Sequence, residues 1–345
     1  MNVYIVFFVL LFVFSFYRMG NRIYLLLFLV LSVVLGFRSK IIGIDTSTYI
    51  DYYNSISLDI FSGYMEKGWN LIAVVCKFFN FTAYGFNFVV ALLTLLPYYY
   101  VALSFKNTRT TGYVCFFVYS LGFYFLMFNG MRQFLAISLL LIGYSCLVKG
   151  CVGKFIMYVI LASFVHMSSL CALVLLFVLK IKMTTKRIIF ALLFSFVIGI
   201  YTNEFFWRLV AGRYVSNVED YGLRSGLLYT FTVGLLTNLF YIWLLYCKPL
   251  SLNNLWIRIN LFSVFILNIM SNLVIGPRIV YIFSVTSILA LSVYASQSYA
   301  SKLVKPVIYL YSTLMFIRFL VPELLSVGSD GCLIPYEMNL EIFDD

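Results

Sequence analysis

At 345 residues, 63% hydrophobic, 20% aromatic and only 11% charged, with a mean hydropathy of +1.00, the chain has too few polar side chains to cover a soluble globule. Apolar runs of about 20 residues recur from end to end, which makes it an all-α, polytopic membrane protein and leaves no room for a soluble domain. The net charge of +11 does not imply nucleic acid. Fourteen of the 24 basic residues sit in short acid-free loops: Arg18 and Arg22; Lys106 and Arg109; Lys149 and Lys154; Lys180, Lys182, Lys186 and Arg187; Lys248 and Arg258; Lys302 and Lys305. That pattern marks cytoplasmic loops rather than a nucleic-acid or polybasic lipid site.

With those loops inside, residues 3–17 run inward as a retained first span, because the positive charges follow the apolar run and no cleavage site is present. Residues 23–36 return outward and deliver 37–69, which contains the polar, tyrosine-rich GIDTSTYIDYYNSI, to the external face. The short run 71–81 carries Lys77 and is expected to be re-entrant, with a short ordinary span as the alternative. Residues 83–105 cross inward with a kink at Pro97, 112–128 cross outward, and 134–148 return. Residues 155–165 rise and 168–179 descend, both short for a core of about 30 Å, which predicts a thinned membrane around His166.

Residues 188–201 rise to a second external loop, 202–225, in which Arg208, Arg213 and Arg224 lie among aromatic residues at a spacing that suits an amphipathic surface helix. Spans follow at 227–247, 255–275, 279–295 and 304–320, and the acidic tail 321–345 lies outside. The expectation is one transmembrane domain, 1–345, of about twelve helices plus a re-entrant or short one, with both termini external.

The residues with chemistry gather on the outer face of this layout. Arg132 and the single histidine, His166, are 34 residues apart, about 50 Å of helix, which is one crossing and one return. They therefore finish at one depth. Arg132, followed by Gln133, opens a helix, where free backbone donors and a guanidinium together favour a diphosphate. Arg278 follows Gly276-Pro277 in the same arrangement. Snorkelling at the interface accounts for either arginine alone. His166 is a candidate base or phosphate donor, though beside Ser168 and Ser169 it also fits a hydrogen-bonded structural role. Asp45 is the other candidate base, or simply a helix cap.

Arg213 and Arg224 are candidates for phosphate or sugar contact, with lipid headgroups or Glu219 and Asp220 as competing partners. External aromatics such as Tyr49, Tyr52, Tyr53 and Trp207 suit stacking on sugars. A substrate with a lipid, a diphosphate and sugars accounts for the set, and its chemistry is glycosyl transfer with lipid diphosphate leaving. With one histidine and no CxxC pair, no metal or other cofactor is expected, and the seven cysteines imply no disulfide framework.

GIDTSTYIDYY, the EKGW segment, MRQFLAISLLL, FVHMSSL and PRIVYIF, in that order over nearly the whole chain, resemble the EpsG-like family of Wzy-type polysaccharide polymerases. The resemblance implies a bacterial inner-membrane enzyme of GT-C-like architecture that joins undecaprenyl-diphosphate-linked repeat units, donor and acceptor alike, at the periplasmic face for O-antigen or capsule. It also implies a flippase and a chain-length regulator as partners. The residues it carries over are Asp45, Tyr49, Arg132, Gln133, His166 and Arg278, with Pro335 and Tyr336 as a tail feature. The family's glutamate-glycine element is split here by Lys67, so Glu66 is not carried over.

The resulting expectation is an inverting, metal-independent polymerase in which Arg132 and Arg278 hold the diphosphate, His166 or Asp45 serves the acceptor, and Tyr49, Gln133, Arg213, Arg224 and Tyr336 bind substrate. A flippase or transporter of the same lipid-linked oligosaccharide is the alternative, which calls for charges near mid-bilayer in both halves. An acyltransferase calls for a histidine near the cytoplasmic side, opposite to where His166 is placed.

Overall fold

The computed structural model describes residues 2–214, 233–247, 252, 254–270, 276–296, 303–325 and 332–342, and every regular element among them is a helix. Without water to satisfy backbone groups, apolar segments fold as helices even where their aromatic and β-branched residues would favour strands in solution. The chain divides into two compact units, Met1–Leu170 with Leu291–Tyr299 and Lys305–Asp345, and Cys171–Ala290 with Ala300–Val304.

The first unit holds α1 (Asn2–Phe16), α2 (Asn21–Gly36), α3 (Thr46–Ser55), α4 (Lys67–Phe78), α5 (Ala83–Leu103), α6 (Thr108–Ser120), α7 (Phe123–Asn129), α8 (Met131–Val148) and α9 (Val152–Val165). A 3-10 helix, Met167–Val174, leads into α10 (Leu175–Val178) and α11 (Thr185–Tyr214). Then come α12 (Leu235–Cys247), α13 (Leu255–Met270), α14 (Gly276–Ser284), α15 (Thr286–Ser296) and α16 (Val304–Leu325).

Among the described residues, Ala83–Leu103, Met131–Val148, Gly276–Ser296 and Val304–Leu325 are each long and apolar enough to cross a membrane. The bent pair α6 and α7 makes a fifth crossing if read as one span, and six shorter apolar helices accompany them. The chain is a multi-pass helical membrane protein.

In the first unit α2 packs on α5, α5 on α8, α8 on α9 and α1 on α6. The unit has a basic end. The Tyr99 hydroxyl donates to the Asn21 carbonyl, Gly112 sits against the Tyr24 ring, and Ser15 bonds Tyr309, so the links holding Arg18, Arg22, Lys106, Arg109 and Lys305 lie together. At the other end, the Ser39 amide donates to the Glu337 carbonyl, the Asn339 amide to Phe37 and the Thr82 amide to Ile342. The tail segment 332–342 is thereby laid across the 37–45 link and the start of α5.

Three boundaries differ from expectation. Residues 112–128 form no single straight helix but a pair bent by 51°, because Gly122 takes a left-handed φ of +86° that ends α6. A Cβ there would overlap the Phe319 ring, so the corner needs glycine. The amphipathic helix expected within 202–225 is, as far as 214, no separate element but the continuation of the preceding span, since nothing between Thr185 and Tyr214 stops α11; 215–225 lies outside the described residues. Residues 167–174 wind as 3-10 helix, which rises about 2.0 Å per residue and so stretches a short run further than an α-helix would.

The segment expected to be re-entrant is α4, and both of its ends stay at one end of the unit. Glu66 precedes it beside the starts of α3 and α8, while the Lys77 ammonium donates to the Asn54 and Ile56 carbonyls at the end of α3. The Tyr53 hydroxyl, also on α3, donates to the Phe81 carbonyl at 2.7 Å. Helix α4 packs against α9 and α5 with both of its ends at one end of the unit.

Arg38 ties this end together. It is fully buried, and its guanidinium donates to the Thr46 hydroxyl, to the Leu35 carbonyl and to the Phe128 carbonyl over the Phe128 ring. Replacing it with alanine strands two carbonyls and removes a charged donor, so Arg38→Ala is expected to cost about 3 kcal/mol, seen as a lower melting temperature in detergent.

In the second unit α11 packs on α13 and α13 on α14. Gly199 allows the first approach, because a Cβ there would overlap the Asn268 carbonyl. Asn268 donates to Ser195, Leu192 and Asn238, a buried amide cluster that fixes the register of α11, α12 and α13.

Candidate functional site

The site is assembled at the non-basic end of the first unit from three turns of chain. Arg132 is the second residue of α8, directly after the Gly130 corner that separates α7 from α8. The corner is fixed from outside: the Ile44 amide donates to the Asn129 side chain at 2.8 Å, and the Phe128 carbonyl takes its bond from Arg38. His166 caps the far end of α9 in an extended conformation, with its amide bonded to the Ala162 carbonyl at 2.9 Å. Glu66 occupies the cap position before α4, yet its side chain makes no capping bond. It turns inward instead.

There one carboxylate joins the two groups that spacing alone placed at one depth. Glu66 Oε2 is 2.5 Å from Arg132 Nη1, and Glu66 Oε1 is 3.4 Å from His166 Nδ1. The three side chains are 26%, 28% and 16% exposed, buried enough to strengthen the pairing and open enough to meet a ligand. Burial raises the Glu66 pKa, but hydrogen bonding from His166 and from its own backbone, with the charges of Arg132 and His166, outweighs it and holds the carboxyl at about 2. Glu66 is therefore ionised at any physiological pH.

What brings Glu66 to this position is Gly68. A Cβ on Gly68 would sit 2.7 Å from the Phe164 carbonyl, so only glycine lets the first turn of α4 press against the last turn of α9. Asn70 then closes the preceding loop: it accepts from the Tyr52 hydroxyl and donates to the Ile60 and Gly63 carbonyls. Gly68→Ala is expected to push α4 off α9 by a few tenths of an ångström or more and separate Glu66 from His166. Activity should fall about tenfold with little change in melting temperature, measured as chain extension beside thermal unfolding.

Around the carboxylate, polar atoms are buried without a hydrogen-bond partner: Arg132 Nε, His166 Nε2, Ser168 Oγ, Ser169 Oγ and Trp69 Nε1. So many orphaned groups in one place are what a polar ligand would satisfy. Tyr49 of α3 completes the wall. Burial raises its pKa, opposed by the charge of Arg132 and a side-chain hydrogen bond to it, and its ring packs against Trp69 at 5.4 Å.

The other expected residues are placed as follows. Asp45 is exposed at the cap position of α3 without a side-chain capping bond, within electrostatic reach of Tyr49. Gln133 is buried in α8. Tyr336 donates its hydroxyl to the Val34 carbonyl at 2.6 Å, which makes it a tie between tail and α2. Arg278 is the exposed third residue of α14 in the second unit. The side chain of Arg213 and all of Arg224 lie outside the described residues.

The residue that sequence reasoning missed is Glu66, which stands at the centre. The available signal was Gly68 two residues later, a glycine at a helix start where the backbone of a neighbour comes close. A family model described as the EpsG family matches residues 21–338, whereas no curated protein and no solved structure matches.

Proposed function

Because the chain belongs to the EpsG family of Wzy-like polysaccharide polymerases, we propose that it joins lipid-diphosphate-linked oligosaccharide repeat units by glycosyl transfer, with Arg132, Glu66 and His166 as its working centre. The frame is a GT-C-like arrangement of about twelve crossings in the bacterial inner membrane, the site facing the periplasm and the lipid carrier being undecaprenyl diphosphate. The carrying observation is the single carboxylate that holds both a guanidinium and an imidazole, each with a buried nitrogen left for a ligand.

In this mechanism the acceptor hydroxyl oxygen attacks the anomeric carbon of the donor sugar as the bond to the diphosphate oxygen breaks, which inverts the centre. His166 Nε2 takes the hydroxyl proton, and Glu66 beside Nδ1 orients the ring and stabilises the imidazolium. Arg132 faces the departing diphosphate, where its fixed charge balances the developing negative charge without a metal ion. Tyr49 holds the guanidinium in place.

Purified protein incubated with lipid-linked repeat units should yield glycans of two and more units and release lipid diphosphate. Movement of intact lipid-linked units across a vesicle membrane without any lengthening would instead make the protein a transporter.

A further inference from the structure

A hollow in the second unit has no part in that chemistry. It lies between the 178–183 turn, the first half of α11 and α13, encloses ≈ 270 Å³, and its wall is apolar: Val178, Ala191, Leu192, Leu261, Phe262 and Phe265 line it. Two basic residues also border it. Lys182 and Arg187 stand there, both exposed, with Arg187 Nη1 3.4 Å from the Lys182 carbonyl. Lys180 and Lys186 flank them in sequence.

The turn that carries these charges is held in shape. Arg258 of α13 donates to the Leu179 and Ile181 carbonyls at 2.6 and 2.8 Å, while its Nε is buried with no hydrogen-bond partner. No acidic residue occurs between 67 and 203 or between 221 and 322, so nothing in the segments that form the hollow offsets its basic rim. A topogenic loop needs only the charges; it has no use for a pre-shaped apolar hollow directly beneath them.

We propose that this hollow is a binding site for an anionic phospholipid, whose phosphate sits on Lys182 and Arg187 and whose acyl chain fills the space between α11 and α13. The pairing matches the bilayer: headgroup phosphates lie at the depth where a basic loop leaves the membrane, and the chain lies one helical turn deeper. Zwitterionic lipid presents the same chain with a headgroup whose own cation competes with the rim. Discrimination therefore comes from the charges and affinity from the apolar wall.

The test is native mass spectrometry of the full-length chain in detergent, titrated separately with phosphatidylglycerol, phosphatidylcholine, polyprenyl phosphate and glycerol phosphate. One phosphatidylglycerol is expected to be retained at concentrations at least tenfold below those needed for phosphatidylcholine, with no retention of glycerol phosphate. In Lys182→Ala/Arg187→Ala, a surface change that should fold, phosphatidylglycerol should bind no better than phosphatidylcholine. Ala191→Trp, which fills the hollow, should weaken both lipids. Equal binding of the two phospholipids by the unaltered chain, unchanged preference in the double variant, or stronger retention of polyprenyl phosphate than of phosphatidylglycerol would each overturn the assignment.

Discussion

Glu66→Gln is expected to slow chain extension by about 10²- to 10³-fold while leaving the KM for the lipid-linked donor unchanged or lower. The amide keeps the size of the carboxylate and removes its charge, so the imidazolium formed when His166 takes a proton loses its counter-ion. Arg132, released from a 2.5 Å ion pair, is at the same time freer to meet an anionic donor. A purely architectural role for Glu66 predicts the opposite division, a higher KM with the turnover rate little changed. Glu66→Asp keeps the charge one methylene short and should recover part of the rate.

The same variant carries a pH signature. The folded-state pKa of about 2 lies below the ordinary 4.5, so the stability contributed by ionised Glu66 is fully present above about 4.5 and lost as pH falls through 2. Melting temperatures of the unaltered chain and Glu66→Gln should differ above 4.5 and converge toward pH 2.

How much of this site could be read in the sequence follows from how each part is specified. The meeting of Arg132 and His166 was legible because two apolar runs of known rise must return a chain to its starting face, whatever their packing. Glu66 was not legible in that way. It lies in a polar, tyrosine-rich stretch whose path is set by side-chain bonds, Tyr52 to Asn70 and Lys77 to Ile56, and by the Gly68 approach to Phe164, none of which has a periodicity. The break at Gly122 was hidden for a related reason. A glycine inside an apolar run reads as a helix-packing residue, and only the Phe319 ring against it shows that the chain turns. The unbroken run of α11 from span to 214 was masked by polar residues that interrupt hydrophobicity without interrupting hydrogen bonding. Arg38 reads as a residue at a span's edge, yet three acceptors contributed by α2, α3 and α7 bury it completely.

Arg132→Lys is expected to lower chain extension by about 100-fold even though the charge is retained. In the structure the guanidinium already serves Glu66 through Nη1 and Tyr49 through a side-chain hydrogen bond, and Nε remains buried without a partner. A planar group with five donors can keep Glu66 and Tyr49 while its remaining edge meets a diphosphate oxygen. An ammonium has three donors spread from one point and no flat edge, so after serving Glu66 and Tyr49 it offers a single donor in place of a planar two-donor grip. The lysine variant should therefore fold normally, since the ion pair to Glu66 survives, and fail when the donor arrives. Because Arg132 and Glu66 act through one contact, their losses should not add: Glu66→Gln combined with Arg132→Lys is expected to be close to the worse single variant rather than the product of the two. A multiplicative loss in the double variant would mean that guanidinium and carboxylate serve separate steps, and full activity of Arg132→Lys would remove the arginine from the leaving group altogether.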